Sequence, residues 1–137
     1  MSVFTSGVSW AESPESIVGA TTVDVSDARQ LFDKGAVFID VRDALSYNLG
    51  HIPGAVHLDF NDDVFAVLYV SESLDRRTPV VFYCDSALAS AGAMASFFAA
   101  NWGYENVFFF RDGYYAWMAS DFPIHYQMAQ SSTRVTN

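Results

Sequence analysis

The residue best equipped for covalent chemistry is Cys84, the only cysteine in the chain. It closes the apolar run PVVFYC (79–84) and precedes DSALAS (85–90). A cysteine attacks as its thiolate, so its surroundings must stabilise an anion. A strand that turns tightly into a helix can do this, because several loop amides point at one spot and the helix dipole adds positive potential. Asp85, Ser86, Ala87, Leu88 and Ala89 would form such a loop, and Ser90 is a residue type that caps helices. On this reading the thiol titrates below the free value of about 8.5. The competing reading makes Cys84 a small buried hydrophobe, the commoner fate of a lone cysteine.

Two arginines stand where they could serve the same site. Arg42 follows the run AVFIDV (36–41), and Arg111 follows NVFFF (106–110). For Arg42 the reading is an ion pair with Asp40 or Asp43 that pins its loop. Arg111 is the candidate to supply a cation that the Cys84 loop itself lacks, against a structural pairing with Asp112 or Glu105. The three histidines, His51, His57 and His125, show no HExxH spacing and the cysteine no CxxC, so neither a metal nor another cofactor is expected. His51 reads as the cap of a turn and His57 as a core residue. Arg76 and Arg77 precede their strand and read as a solvated turn at the far end.

These side chains need a scaffold, and the runs around them supply one. AVFIDV and PVVFYC are continuous apolar stretches of strand length, which suits strands buried on both faces of a parallel sheet. TTVDV (21–25), AVHLDF (55–60) and NVFFF are three further strand candidates. Between them lie helical segments: SDARQLFDKG with Ser26 or Asp27 as N-cap, DALSYNLG ending at Gly50, Ser90 to Asn101, and GYYAWMAS (113–120). Residues 61–75 are ambiguous. Strands alternating with short helices imply one α/β domain with helices on both faces of the sheet. Residues 1–20 read as an irregular arm, 21–124 as the domain, and 125–137 as a polar tail.

Composition narrows the partners. With 51% hydrophobic residues, 16% aromatic residues and 137 positions, the chain can build one sizeable core. The formal charge of −9, with seven basic residues and no basic stripe, argues against nucleic acid. No apolar run reaches the roughly 18 residues that span a bilayer, so no membrane partner is expected. The N-terminal residues carry no secretory pattern, which favours the cytoplasm; a leader already removed would allow the periplasm.

Three segments together, FIDVRDALSYNLGHIPGAVHL (38–58), VVFYCDSALAS (80–90) and VFFFRDGYYAWMASDFPI (107–124), resemble the rhodanese-like domain. The resemblance implies a rhodanese-like fold of five mostly parallel strands. It also implies a catalytic Cys84 that carries sulfane sulfur as a persulfide, wrapped by residues 85–90. The expected function is thus a single-domain sulfurtransferase. It would take sulfur from a small donor and pass it to a thiol, cyanide or protein acceptor, as a monomer or weak homodimer.

Some positions depart from the family pattern. Ala87 and Ala89 stand where the family's loops commonly carry Gly and Arg, while Ser90 keeps the final Ser. Asp85 places a negative charge beside the nucleophile, Ser46 replaces the usual acidic residue before GHIPGA, and Asp112 replaces the first Gly of a Gly-Gly pair. Thiosulfate is dianionic, so activity with it should be weak and improved by salt. A non-catalytic binding module is the alternative. A Cys-dependent phosphatase or arsenate reductase ranks last, because such chemistry wants a loop Arg to clamp the oxyanion.

Overall fold

A computed structural model describes residues 12–126. Five strands form one sheet in the order β1-β5-β4-β2-β3, and every neighbouring pair is parallel. They are β1 (Ala20–Val23), β2 (Val37–Asp40), β3 (Val56–His57), β4 (Val80–Tyr83) and β5 (Val107–Phe110). The helices are α1 (Val25–Asp33), α2 (Ala44–Leu49), α3 (Val67–Val70), α4 (Ala91–Asn101) and α5 (Gly113–Ala119). The ambiguous segment resolves into a 3-10 turn at Asp63–Ala66 running into α3.

The strand β4 lies at the centre of the order and is buried along its whole length. That burial explains why its sequence is apolar on both alternating faces. Val80 and Phe82 pack with Ala95 and Ala99 of α4 and with Phe65 and Leu68. Val81 and Tyr83 pack on the opposite face with Ala28 of α1 and with Tyr114 and Trp117 of α5. The Trp117 ring is fully buried, and its indole N–H donates to the Pro123 carbonyl at 2.7 Å. Two layers of helices therefore hold β4 rigidly from both sides, and Cys84 is the first residue beyond it.

Some local boundaries differ from the sequence reading. The first helix is capped by Asp24, not Ser26 or Asp27. The Asp24 side chain accepts from the Asp27 amide at 2.8 Å while Asp27 reaches back to the Asp24 amide, a reciprocal box that fixes the start one turn earlier. Arg76 is not merely solvated: it donates to the Trp102 carbonyl beyond α4, to Ser71 O and to the Tyr104 hydroxyl. The guanidinium of Arg76 also sits 4.2 Å from the Tyr104 ring centroid. Among the described residues no helix is long and apolar enough to cross a membrane.

Candidate active site around Cys84

Parallel strands deliver their carboxyl ends to one edge, so Cys84 after β4, Arg42 after β2 and Arg111 after β5 share that edge. Cys84 is half-buried and packs against the α4-side core. The first turn of α4 approaches it closely. A Cβ on Gly92 would lie 3.4 Å from the Cys84 nitrogen and 3.2 Å from the Phe109 ring. On the other side α5 docks on the loop: Tyr114 N–H donates to Cys84 O at 2.9 Å and Tyr115 N–H to Asp85 O at 3.0 Å. Gly113 makes that approach possible. Its φ is 72°, and a Cβ there would sit 2.5 Å from Cys84 O. Asp112, in the place of the other family glycine, has an ordinary φ of −71° that any residue adopts.

The thiol titrates opposite to the sequence expectation. It is pushed up to about 11, chiefly by burial, with the Asp85 and Asp40 charges adding to the rise. A hydrogen bond from the Asp85 amide and the Arg42 charge oppose this. Two of the amides expected in the cradle are used within the loop: Ala89 N–H donates to Ser86 O at 3.1 Å and Leu88 N–H to Ser86 Oγ at 3.2 Å. Those two donors close a local turn instead of facing the sulfur. Ser90 caps α4 only through its backbone, its hydroxyl lying 3.8 Å from the Met94 sulfur.

Arg42 forms the ion pair expected with Asp40. Its Nε lies 3.0 Å from Asp40 Oδ1 and its Nη2 2.8 Å from Asp40 Oδ2, in a pair almost wholly buried. Nη2 also donates to Gly50 O at 2.7 Å, and Nη1 to Asp85 Oδ1 at 3.3 Å. The Tyr114 ring covers the guanidinium at 4.2 Å. Asp43, the alternative partner, caps α2 by accepting from the Ser46 amide at 2.8 Å.

Arg111 does not pair with Asp112 or Glu105, nor is it turned to the loop as a free cation. Its Nε donates to Pro14 O at 3.2 Å and its Nη2 to Ser13 O at 2.8 Å. Ser13 is the residue that sequence reasoning missed. It lies in the segment taken as an idle arm, yet it is buried. Its amide donates to Ala87 O at 2.9 Å and its hydroxyl to Ala89 O at 2.6 Å. Arg111 thus holds Ser13, and Ser13 holds the Cys84 loop by two of its carbonyls. Nothing in local composition signals a bond across 76 positions.

His51 and His57 are both held by backbone carbonyls. His51 is buried with Nδ1 2.8 Å from Tyr47 O, while His57, half-buried at a sheet edge and not in the core, has Nε2 2.7 Å from Arg42 O. Both rings stack on Tyr47, at 3.7 and 4.5 Å between centroids. Beside the Cys84 loop a hollow of about 240 Å³ opens between α2 and α5, with Arg42, Asp85, Tyr114 and Tyr115 in its wall. Among the described residues no cluster of His, Cys, Asp and Glu could hold a metal.

The chain is similar to known proteins in sequence and in overall fold. The model of the rhodanese-like domain family matches residues 24–120. A thiosulfate sulfurtransferase GlpE of Pseudomonas paraeruginosa is 34% identical over 66% of this chain and 76% of its own. The GlpE of Pseudomonas savastanoi is 33% identical over 68% of this chain and 82% of its own. Among solved structures, a human single-domain sulfurtransferase superposes with a TM-score of 0.59 at 26% identity, covering 73% of this chain and 96% of that one.

Proposed function

The chain belongs to the rhodanese-like domain family, and from that premise we propose that it is a sulfurtransferase carrying sulfane sulfur on Cys84. The observation that carries this reading is the position of Cys84. The only cysteine stands at the carboxyl end of the central strand, clasped between Gly92 of α4 and Gly113 of α5. In the first half-reaction the Cys84 thiolate attacks the outer sulfur of thiosulfate. A Cys84 S–S bond forms, the donor's S–S bond breaks, and sulfite leaves with the electron pair. In the second, an acceptor thiolate or cyanide attacks the outer sulfur, and the pair returns to Cys84. No general base is needed, since the thiolate is the reacting form.

Thiosulfate turnover is weak at neutral pH in this account. With the thiol near 11, only about one molecule in 10⁴ is thiolate at pH 7. Neither Arg42 nor Arg111 offers an open fork, since both are engaged with protein oxygens. The same absence of an open fork among the described arginines of the site leaves phosphatase chemistry the least supported reading. A binding module without turnover is the second reading, favoured by the raised thiol. The test is thiosulfate:cyanide turnover against pH. The expected rate climbs about tenfold per unit from pH 7 until it levels near the thiol value, and vanishes in Cys84→Ser. Activity surviving in Cys84→Ser would defeat the proposal, and a flat profile that still depends on Cys84 would mean that the thiol is not raised.

A further inference from the structure

The hollow beside the loop has a chemistry of its own. Its polar floor is Arg42 and Asp85, and its walls are the rings of Tyr114, Tyr115 and Tyr126 with the Met118 thioether. The charges do not present themselves equally. Arg42 is 5% exposed, covered by the Tyr114 ring, and donates to Asp40, Gly50 O and Asp85. It has no two parallel N–H groups left for an incoming anion. Asp85 is one-third exposed and uses Oδ1 on Arg42, leaving Oδ2 without a partner among the described residues. The buried Asp40 behind the hollow already neutralises Arg42, so the three groups together carry one net negative charge.

A part-exposed carboxylate in a hollow lined by tyrosines suits an organic cation. The carboxylate supplies charge, and an aromatic ring beside it can supply quadrupole attraction with little desolvation cost. Tyr115 and Tyr126 are each about half exposed, 52% and 51%, so a ligand can reach them. The whole chain, at −9, adds a field of the same sign.

We propose that this hollow binds the cationic group of an amine-bearing thiol, making such a compound the preferred sulfur acceptor. The acceptor role rests on the sulfurtransferase reading above. Asp85 adjoins Cys84 in the chain, and the wall residues Tyr114 and Tyr115 bond to the carbonyls of Cys84 and Asp85, so an ammonium held at Asp85 lies beside the loop that carries the sulfur. The acceptor thiolate attacks the outer sulfur of the Cys84 persulfide and forms the new S–S bond. The bond to Cys84 Sγ breaks, and its electron pair leaves Cys84 as thiolate. Acidic thiols meet only the carboxylate and an arginine whose fork is already engaged. This also gives Asp85 a positive role, where beside an anionic donor it is a hindrance.

Two measurements test this separately from the sulfur chemistry. NMR titration of the unloaded full chain with propylammonium should shift the resonances of Asp85, Tyr115 and Met118, and propionate should not. The shifts should be lost in Asp85→Asn. No shifts with propylammonium, or equal shifts with propionate, overturn the site whatever Cys84 does. In the second, cysteamine and 3-mercaptopropionate discharge loaded protein at matched thiolate concentration. The cysteamine-to-mercaptopropionate ratio of kcat/KM should be up to about fivefold higher in the wild type than in Asp85→Asn, the scale of a partly exposed ion pair. Comparing the two ratios cancels both the unequal nucleophilicity of the two thiolates and any effect of Asp85→Asn on Cys84 itself. Equal ratios in the two proteins overturn the acceptor preference. Amine binding in a protein that never loads sulfur would instead defeat the sulfurtransferase reading and leave the cation site standing.

Discussion

Arg42 and Arg111 follow the two strands that flank β4, so they stand on either side of the strand that delivers Cys84. They hold that site in different ways. Arg42 is locked to a buried carboxylate, a carbonyl and the Asp85 side chain, beneath an aromatic ring. Arg111 has no carboxylate partner among the described residues, binding instead two carbonyls of the N-terminal arm. The first arrangement fixes the floor of the site by charge. The second reaches the loop at one remove, through Ser13 and its bonds to Ala87 and Ala89. One arginine sets the electrostatics next to the sulfur, and the other sets the path of the loop around it.

The largest effect that separates the two should come from Arg42→Met. It leaves the Asp40 carboxylate fully buried without its cation, which costs about 3–5 kcal/mol. Urea unfolding reads this directly, and a loss under about 1 kcal/mol would mean that the pair is not structural. Arg111→Ala removes two hydrogen bonds from a charged donor at a half-buried site, worth about 1.5–3 kcal/mol together if the arm relaxes. It should also free Ser13 and quicken alkylation of Cys84 as the loop loosens. Unchanged alkylation would break the link between the arm and the loop.

The sequence made the scaffold legible and the electrostatics much less so. Buried strands write themselves as continuous apolar runs, so β2, β4 and β5 were readable, and with them the shared edge of Cys84, Arg42 and Arg111. The Arg42 ion pair was readable in part: Asp40 and Asp43 were both candidates, and the structure pairs Arg42 with Asp40 while Asp43 caps α2. The thiol's environment is not legible in the sequence, which does not show which loop amides turn inward. Ser86 takes two of them, and the buried Asp40 adds a charge that no spacing near Cys84 reveals. Arg111 was placed at the right edge but given the wrong partner, since Ser13 lies almost a hundred residues upstream.

A smaller effect sharpens the Arg42 side. Asp85 raises the Cys84 thiol by its charge, so Asp85→Asn should lower the thiol from about 11 and speed alkylation at pH 8. The gain should be at most about tenfold, a shift of one unit, because burial is the main cause of the rise and remains. A slower reaction in Asp85→Asn would mean that its carboxylate aids the thiolate through Arg42 instead of opposing it.

The central claim is that Cys84 carries sulfur, and intact-protein mass spectrometry after incubation with thiosulfate at pH 9 to 10 tests it most directly. The account predicts a gain of one sulfur atom, mapped to the peptide containing Cys84, removed by cyanide, and absent in Cys84→Ser. Protein that stays folded under those conditions and gains no sulfur on Cys84 would contradict it.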